Sequence, residues 1–190
     1  EALDGKPQYF ESKIVNQKGI EKIYEFYINP IRSGNSAISE VAIIGYDITE
    51  KKKTEEKIVN QSAKLNAIFE NSSHQIYTID RFFKLTSFNE LFAKTTIKDF
   101  NVIPFIGIDM KEKAIEKTPI NHTQNFIKLH KEALKGKSLH TESKIIDPNG
   151  RVSYYLIYLD PIILPDSKVN EVSYIAHDIT DRKIAEKKIV

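Results

Sequence analysis

The sequence contains no cysteine. Disulfides, thiol nucleophiles, thiolate metal sites and chromophores carried on cysteine are thereby excluded. Glycine is scarce, with seven scattered residues, so no glycine-rich loop is available to cradle a phosphate. No apolar run approaches the roughly 18 residues needed to span a bilayer, and no secretory signal is visible. Histidine never recurs at the His-x-x-x-His or Glu-x-x-His spacing of a helical metal site. Charge is balanced too. A net charge of +2 gives no strong field toward nucleic acid or anionic membrane. Ser73-His74 is similar to the start of a kinase phosphoacceptor helix, but "HQIYTID" reads as a strand and no ATP-binding segment follows. Catalysis by this chain is not expected.

What is present is an ordinary globular composition, 41% hydrophobic and 28% charged, carrying an internal repeat. "DITEKKKTEEKIV" at Asp47–Val59 returns as "DITDRKIAEKKIV" at Asp178–Val190, 131 residues later. At that spacing residues 1–59 match residues 132–190 at 26 of 59 ungapped positions, far above chance. "EALDGK" returns as "EALKGK", and "ESKIVNQKG" as "ESKIIDPNG". The chain thus holds one whole repeat unit preceded by the last 59 residues of another. A piece of a longer tandem array is the expectation.

Within the whole unit, Ser72–Asp80 and Lys84–Phe88 read as a β-hairpin. Asn89 reads as a helix N-cap before "ELFAKT". Residues 97–120, interrupted by Pro104, Gly107 and Pro119, predict one or two single-turn helices. Asn121–Lys135 has helical periodicity through Phe126, Leu129 and Ala133, and Gly136 suits the end of that helix. Strands follow at Leu139–Ile146, Val152–Ile163 and Glu171–His177, the first two joined by the turn signal "DPNG" and the last two by a loop over Pro165–Asn170. Two strands, short helices and three strands joined by tight turns imply an α+β domain with an antiparallel sheet.

After each "DIT" a charged helix is expected. Asp47 or Thr49, and Asp178 or Thr180, are alternative caps between which the sequence does not choose. The first helix reaches to about Phe69, with Ile58, Leu65 and Ile68 on a seven-residue pattern that suits pairing with a second chain.

These pieces resemble a PAS domain. "FNELFAKTT" is similar to the segment after the second PAS strand. "HKEALKGKSLHTESKIIDPNGRVSYYLIYLDPI" is similar to the long helix, hairpin and following strand, and "IAHDITDRK" to the closing strand and outgoing helix. The resemblance implies a five-stranded sheet in spatial order 2-1-5-4-3 with helices on one face. It divides the chain into the C-terminal half of a PAS domain (1–49), a linker helix (50–70), a complete PAS domain (71–180) and the start of an outgoing helix (181–190). It also implies a cytoplasmic sensory or relay role upstream of an output such as a histidine kinase.

On that resemblance Asp47, Thr49, Asp178 and Thr180 are candidates for a signal junction, where a cap or a carboxylate paired with Lys51, Arg182 or Lys183 couples sheet to helix. The plainer reading is a helix cap worth about 1 kcal/mol. Phe92, Phe105, Phe126, Tyr155, Tyr174 and His177 are candidates for a small-molecule pocket, and equally for plain core. His122 and His130 lie where some PAS domains hold haem, but no second ligand stands out; neither haem nor flavin is expected. Residues 1–49 would lack the strand that pairs with their last one, so the edge at Glu40–Tyr46 is expected to be open and a homodimer through the sheet and linker helix to form. A purely structural dimerisation module is the rival reading.

Overall fold

The computed structural model describes the chain apart from residues 1, 33–37, 118–119, 148–149, 164, 166–167 and 190. It divides into two compact units, residues 1–65 and 66–190.

The first unit begins with a short 3₁₀ turn at Ala2–Asp4. Three strands follow, β1 (Gln8–Val15), β2 (Glu21–Arg32) and β3 (Ile38–Asp47), paired antiparallel in the order β1-β2-β3. The β1–β2 turn is made by Asn16, whose side-chain oxygen accepts the amides of Lys18 and Ile20 at 2.9 and 3.0 Å. Gly19 supplies the positive φ that this turn needs. Helix α1 (Thr49–Glu70) leaves β3 after a single residue and crosses into the second unit. Ile58, Leu65 and Ile68 on it are 60%, 68% and 71% exposed.

The second unit opens with β4 (Gln75–Asp80) and β5 (Leu85–Phe88). Helices α2 (Glu90–Phe100), α3 (Met110–Lys117) and α4 (Ile120–Ala133) follow. Strands β6 (Leu139–Ile146), β7 (Val152–Ile163) and β8 (Val169–Asp178) then lead into α5 (Thr180–Ile189). All strand pairings are antiparallel, in the order β5-β4-β8-β7-β6. This is the 2-1-5-4-3 order expected. Alternation with period two sends Val172, Tyr174 and Ala176 of β8 to the covered face. Val172 and Tyr174 meet Ile79, Leu85 and Leu159 from the sheet, Phe92 from α2 and Ala133 from α4 in one core, and Ala176 lines the cavity beside it.

Two expectations need correction. Residues 97–120 hold no single-turn helices among the described residues: α2 runs on to Phe100, and α3 has two full turns. Asn101 in the left-handed region closes α2, and Asp109 starts α3 by accepting the Glu112 amide at 2.9 Å. The expected break at Pro119 and the centre of "DPNG" lie outside the described residues. Around that turn, the Asp147 side chain accepts the Arg151 amide at 2.8 Å, the same device as Asn16 one repeat earlier.

Candidate functional site

A cavity of about 230 Å³ lies between the covered face of the sheet and α2, α3 and α4. Tyr77, Phe92, Phe126, Tyr155 and Ile157 form its apolar wall, and Gln75, Asp99 and His122 reach it as polar groups. The Tyr77 and Tyr155 phenols are both pushed up by burial, which keeps them protonated hydrogen-bond donors. Phe92, Phe126 and Tyr155 are thus brought together at the cavity, while the other three proposed pocket residues lie elsewhere. Phe105 stands in the α2–α3 loop, 60% exposed. Tyr174 lies in the core, stacked on Tyr77 with ring centres 4.9 Å apart. His177 falls on the opposite sheet face because it is out of phase with Tyr174 and Ala176. There its Nδ1 sits 3.1 Å from Nδ1 of His74.

His130 is fully buried on α4, with both ring nitrogens engaged. Nε2 donates to the Asp80 carbonyl at 2.9 Å, so Nδ1 accepts from the Tyr174 hydroxyl at 2.8 Å. Burial pushes its imidazole below the ordinary value, which keeps the ring neutral. Iron ligation at His130 would break one of these bonds. His122 lines the cavity instead.

The two strand-to-helix junctions are built alike. In the first, the Ile48 amide donates to the Ile23 carbonyl at 2.8 Å, and the Ile23 amide donates to the Thr49 hydroxyl oxygen at 2.9 Å. In the second, Ile179 donates to the Tyr154 carbonyl at 2.8 Å, and Tyr154 to Thr180 at 2.9 Å. Asp47 and Asp178 accept the amides of Thr49 and Thr180 at 3.1 and 2.8 Å. The cap position itself belongs to Ile48 and Ile179, whose carbonyls take the first helical bonds from Lys52 and Lys183. Neither Asp nor Thr is therefore the N-cap: the threonine hydroxyl oxygen accepts from the neighbouring strand, in the first copy that hydroxyl donates to Asp47 at 2.6 Å, and the only helical amide that the aspartate reaches is the first.

The expected cation partners differ as well. Asp47 pairs with Lys22 at 2.8 Å, and that lysine with Thr49 holds the carboxyl down at about 2. Ser153 occupies the Lys22 position in the second copy. Arg182 and Lys183 pair with Glu142 at 3.3 and 2.7 Å. Lys52 pairs with Glu11 at 2.8 Å, the same helix-to-strand bridge one repeat earlier. The sequence reading missed Glu11 and Glu142, although both sit in the repeated "ESKI".

Asn89 caps α2 as expected, accepting the Phe92 amide at 3.1 Å. It also accepts from the Ile76 amide at 3.0 Å and donates to the carbonyls of Phe69 and His74 at 3.1 and 2.8 Å. This fully buried amide ties the end of α1 to the starts of β4 and α2 with all four of its hydrogen bonds made.

No protein-family model matches the chain, and no curated protein does so significantly. Solved structures do. A PAS domain of an HTR-like protein from Haloarcula marismortui matches 67% of this chain and 99% of its own, at 18% identity and a TM-score of 0.48. A VqmA–ligand–DNA complex from Vibrio cholera matches 63% of this chain and 52% of its own, at 13% identity and a TM-score of 0.51. VqmA bound to DPO matches 61% and 57%, at 12% identity and the same TM-score. With the strand order and the helices on one face, the architecture is decided. The fold is a PAS fold. Identities this low carry the fold of the PAS unit and nothing of its ligand or partner. Among the described residues, no helix is long and apolar enough to cross a membrane.

Proposed function

We propose that this chain is a non-catalytic sensory and relay module of a larger signalling protein: a PAS domain that passes a change in its sheet to the outgoing helix α5. The observation carrying this reading is the repeated junction. In both copies one backbone hydrogen bond, one bond to a threonine hydroxyl and one lysine–glutamate bridge join the first helical turn to two strands. A shift of β7 relative to β8 therefore has a rigid connection to the helix start. Tyr155 links this to the cavity: it lines the cavity wall and lies opposite Asp178 across the β7–β8 ladder, while its neighbour Tyr154 holds Thr180. A small ligand against Tyr155 acts next to the clamp.

On this reading residues 1–49 are the second half of a preceding PAS domain, 50–70 the linker, 71–180 the sensing domain and 181–190 the outgoing helix. The whole protein works in the cytoplasm, as a homodimer, above an output such as a histidine kinase. The cavity, of the order that holds a single aromatic ring, favours a small one-ring or short-chain metabolite. In the full-length protein, Asp178→Ala and Thr180→Ala should each change signalling output while circular dichroism and melting show a folded domain. Normal output from both variants would overturn the relay. A filled dimerisation module, the rival reading, would show no melting shift with any small metabolite tested. A ligand present at about a hundred times its dissociation constant adds about 2.7 kcal/mol.

A further inference from the structure

Outside the cavity and the junction clamp, two histidines 103 residues apart in sequence meet on the uncovered face of the PAS sheet. His74 leads into β4 and His177 is the penultimate residue of β8. Their Nδ1 atoms are 3.1 Å apart, with the ring planes 77° to one another. His177 is exposed and His74 half-buried. The backbone around them is held. The His74 amide donates to the Ser72 hydroxyl at 3.1 Å, and its carbonyl accepts from buried Asn89 at 2.8 Å. His177 sits in the ladder opposite Leu156.

We propose that His74 and His177 form a two-ligand site for a late first-row divalent cation, Cu²⁺, Ni²⁺ or Zn²⁺. The spacing carries the argument. Two imidazole nitrogens about 2.0–2.1 Å from a tetrahedral Zn²⁺ stand about 3.4 Å apart, and a cis pair on square-planar Cu²⁺ or Ni²⁺ about 2.8 Å apart. The observed separation lies between these, so a small rotation of either ring reaches both geometries. Without metal, one ring donates its Nδ1 proton to the other. With metal, both Nδ1 lone pairs point to the cation and both rings carry their proton on Nε2. No group of three or more His, Asp or Glu converges among the described residues; water completes the coordination, and the site is an exchangeable one. It joins the segment arriving from α1 to the strand end one residue before Asp178. A bound cation would therefore cross-brace the entrance and exit of the domain, a consequence that rests on the relay reading while the binding does not.

The test is calorimetric titration of the untagged chain with Cu²⁺, Ni²⁺ and Zn²⁺ near neutral pH. One site is expected, weakened about tenfold or more in both His74→Ala and His177→Ala and unchanged in His140→Ala. Independently, long-range ¹⁵N–¹H spectra of the unaltered chain should show the ring that donates its Nδ1 proton moving to the Nε2-protonated tautomer on addition of Zn²⁺, so that both rings then carry the proton on Nε2. Equal binding by either alanine variant, or tautomers unchanged at saturating Zn²⁺, would overturn the site.

Discussion

Asn89 shows how much one side chain can organise. Its oxygen serves the amides of Ile76 and Phe92, and its nitrogen serves the carbonyls of Phe69 and His74. Truncation removes a helix cap, worth about 1 kcal/mol, and strands further buried polar groups at about 1–3 kcal/mol in all. Asn89→Ala should therefore destabilise the PAS unit by about 2–4 kcal/mol in urea unfolding followed by circular dichroism. Asn89→Asp keeps both acceptors, loses both donors and should fall between. A variant as stable as the parent would show the hub to be incidental. Only the cap was legible in the sequence, because it is local; the other three bonds bridge 13 to 20 residues of chain. The His74–His177 pair was illegible for the same reason, since its partners meet only through the β4–β8 ladder.

At the scale of elements, the two copies of the repeat keep the same register with different fillings. Gly45 in β3 lies opposite Phe26 in β2, where Ala176 lies opposite Ile157 in the second copy. A Cβ on Gly45 would meet the Phe26 ring at 2.8 Å, and that ring is flanked by Phe10 and Tyr24 at 5.3 and 5.9 Å. Gly45→Ala should thus cost about 1 kcal/mol despite the better strand propensity of alanine. Adding Phe26→Ile, which restores the pairing of the second copy, should recover it. A double-mutant cycle by chemical unfolding measures the coupling; strictly additive effects would mean that the ring moves aside freely. The strands themselves were readable because alternation and turn residues are local: β6 and β7 begin and end as expected. The α2–α3 region was misjudged because proline and glycine mark where helices cannot pass but not how far a capped helix runs.

For the whole molecule, the exposed apolar surface is the main physical fact. In the first unit β3 has a single strand partner among the described residues, and Ile43, Ile44 and Tyr46 on it are exposed. Such an edge favours pairing with another chain. On α1 the exposed Ile58, Leu65 and Ile68 are spaced for a helical seam. The combined Ile58→Glu and Leu65→Glu variant should convert a dimer to a monomer in light scattering, with helix content kept. A parent chain that is already monomeric would remove helix pairing from the proposed function.

Local chemistry along the chain is enough to specify the repeat, the α+β class, the succession of elements and the two helices that follow "DIT". All of these depend on residues near one another along the chain, through periodicity, turn chemistry and composition. Tertiary structure alone decided that isoleucine and not aspartate or threonine takes the cap position, that Glu142 rather than Asp178 receives Arg182 and Lys183, and that His177 leaves the cavity face for His74. Each of those outcomes depends on which strands lie side by side and in which register. A shift of one residue would turn every side chain of a strand to the other face, and that register is set by the packing of the core as a whole.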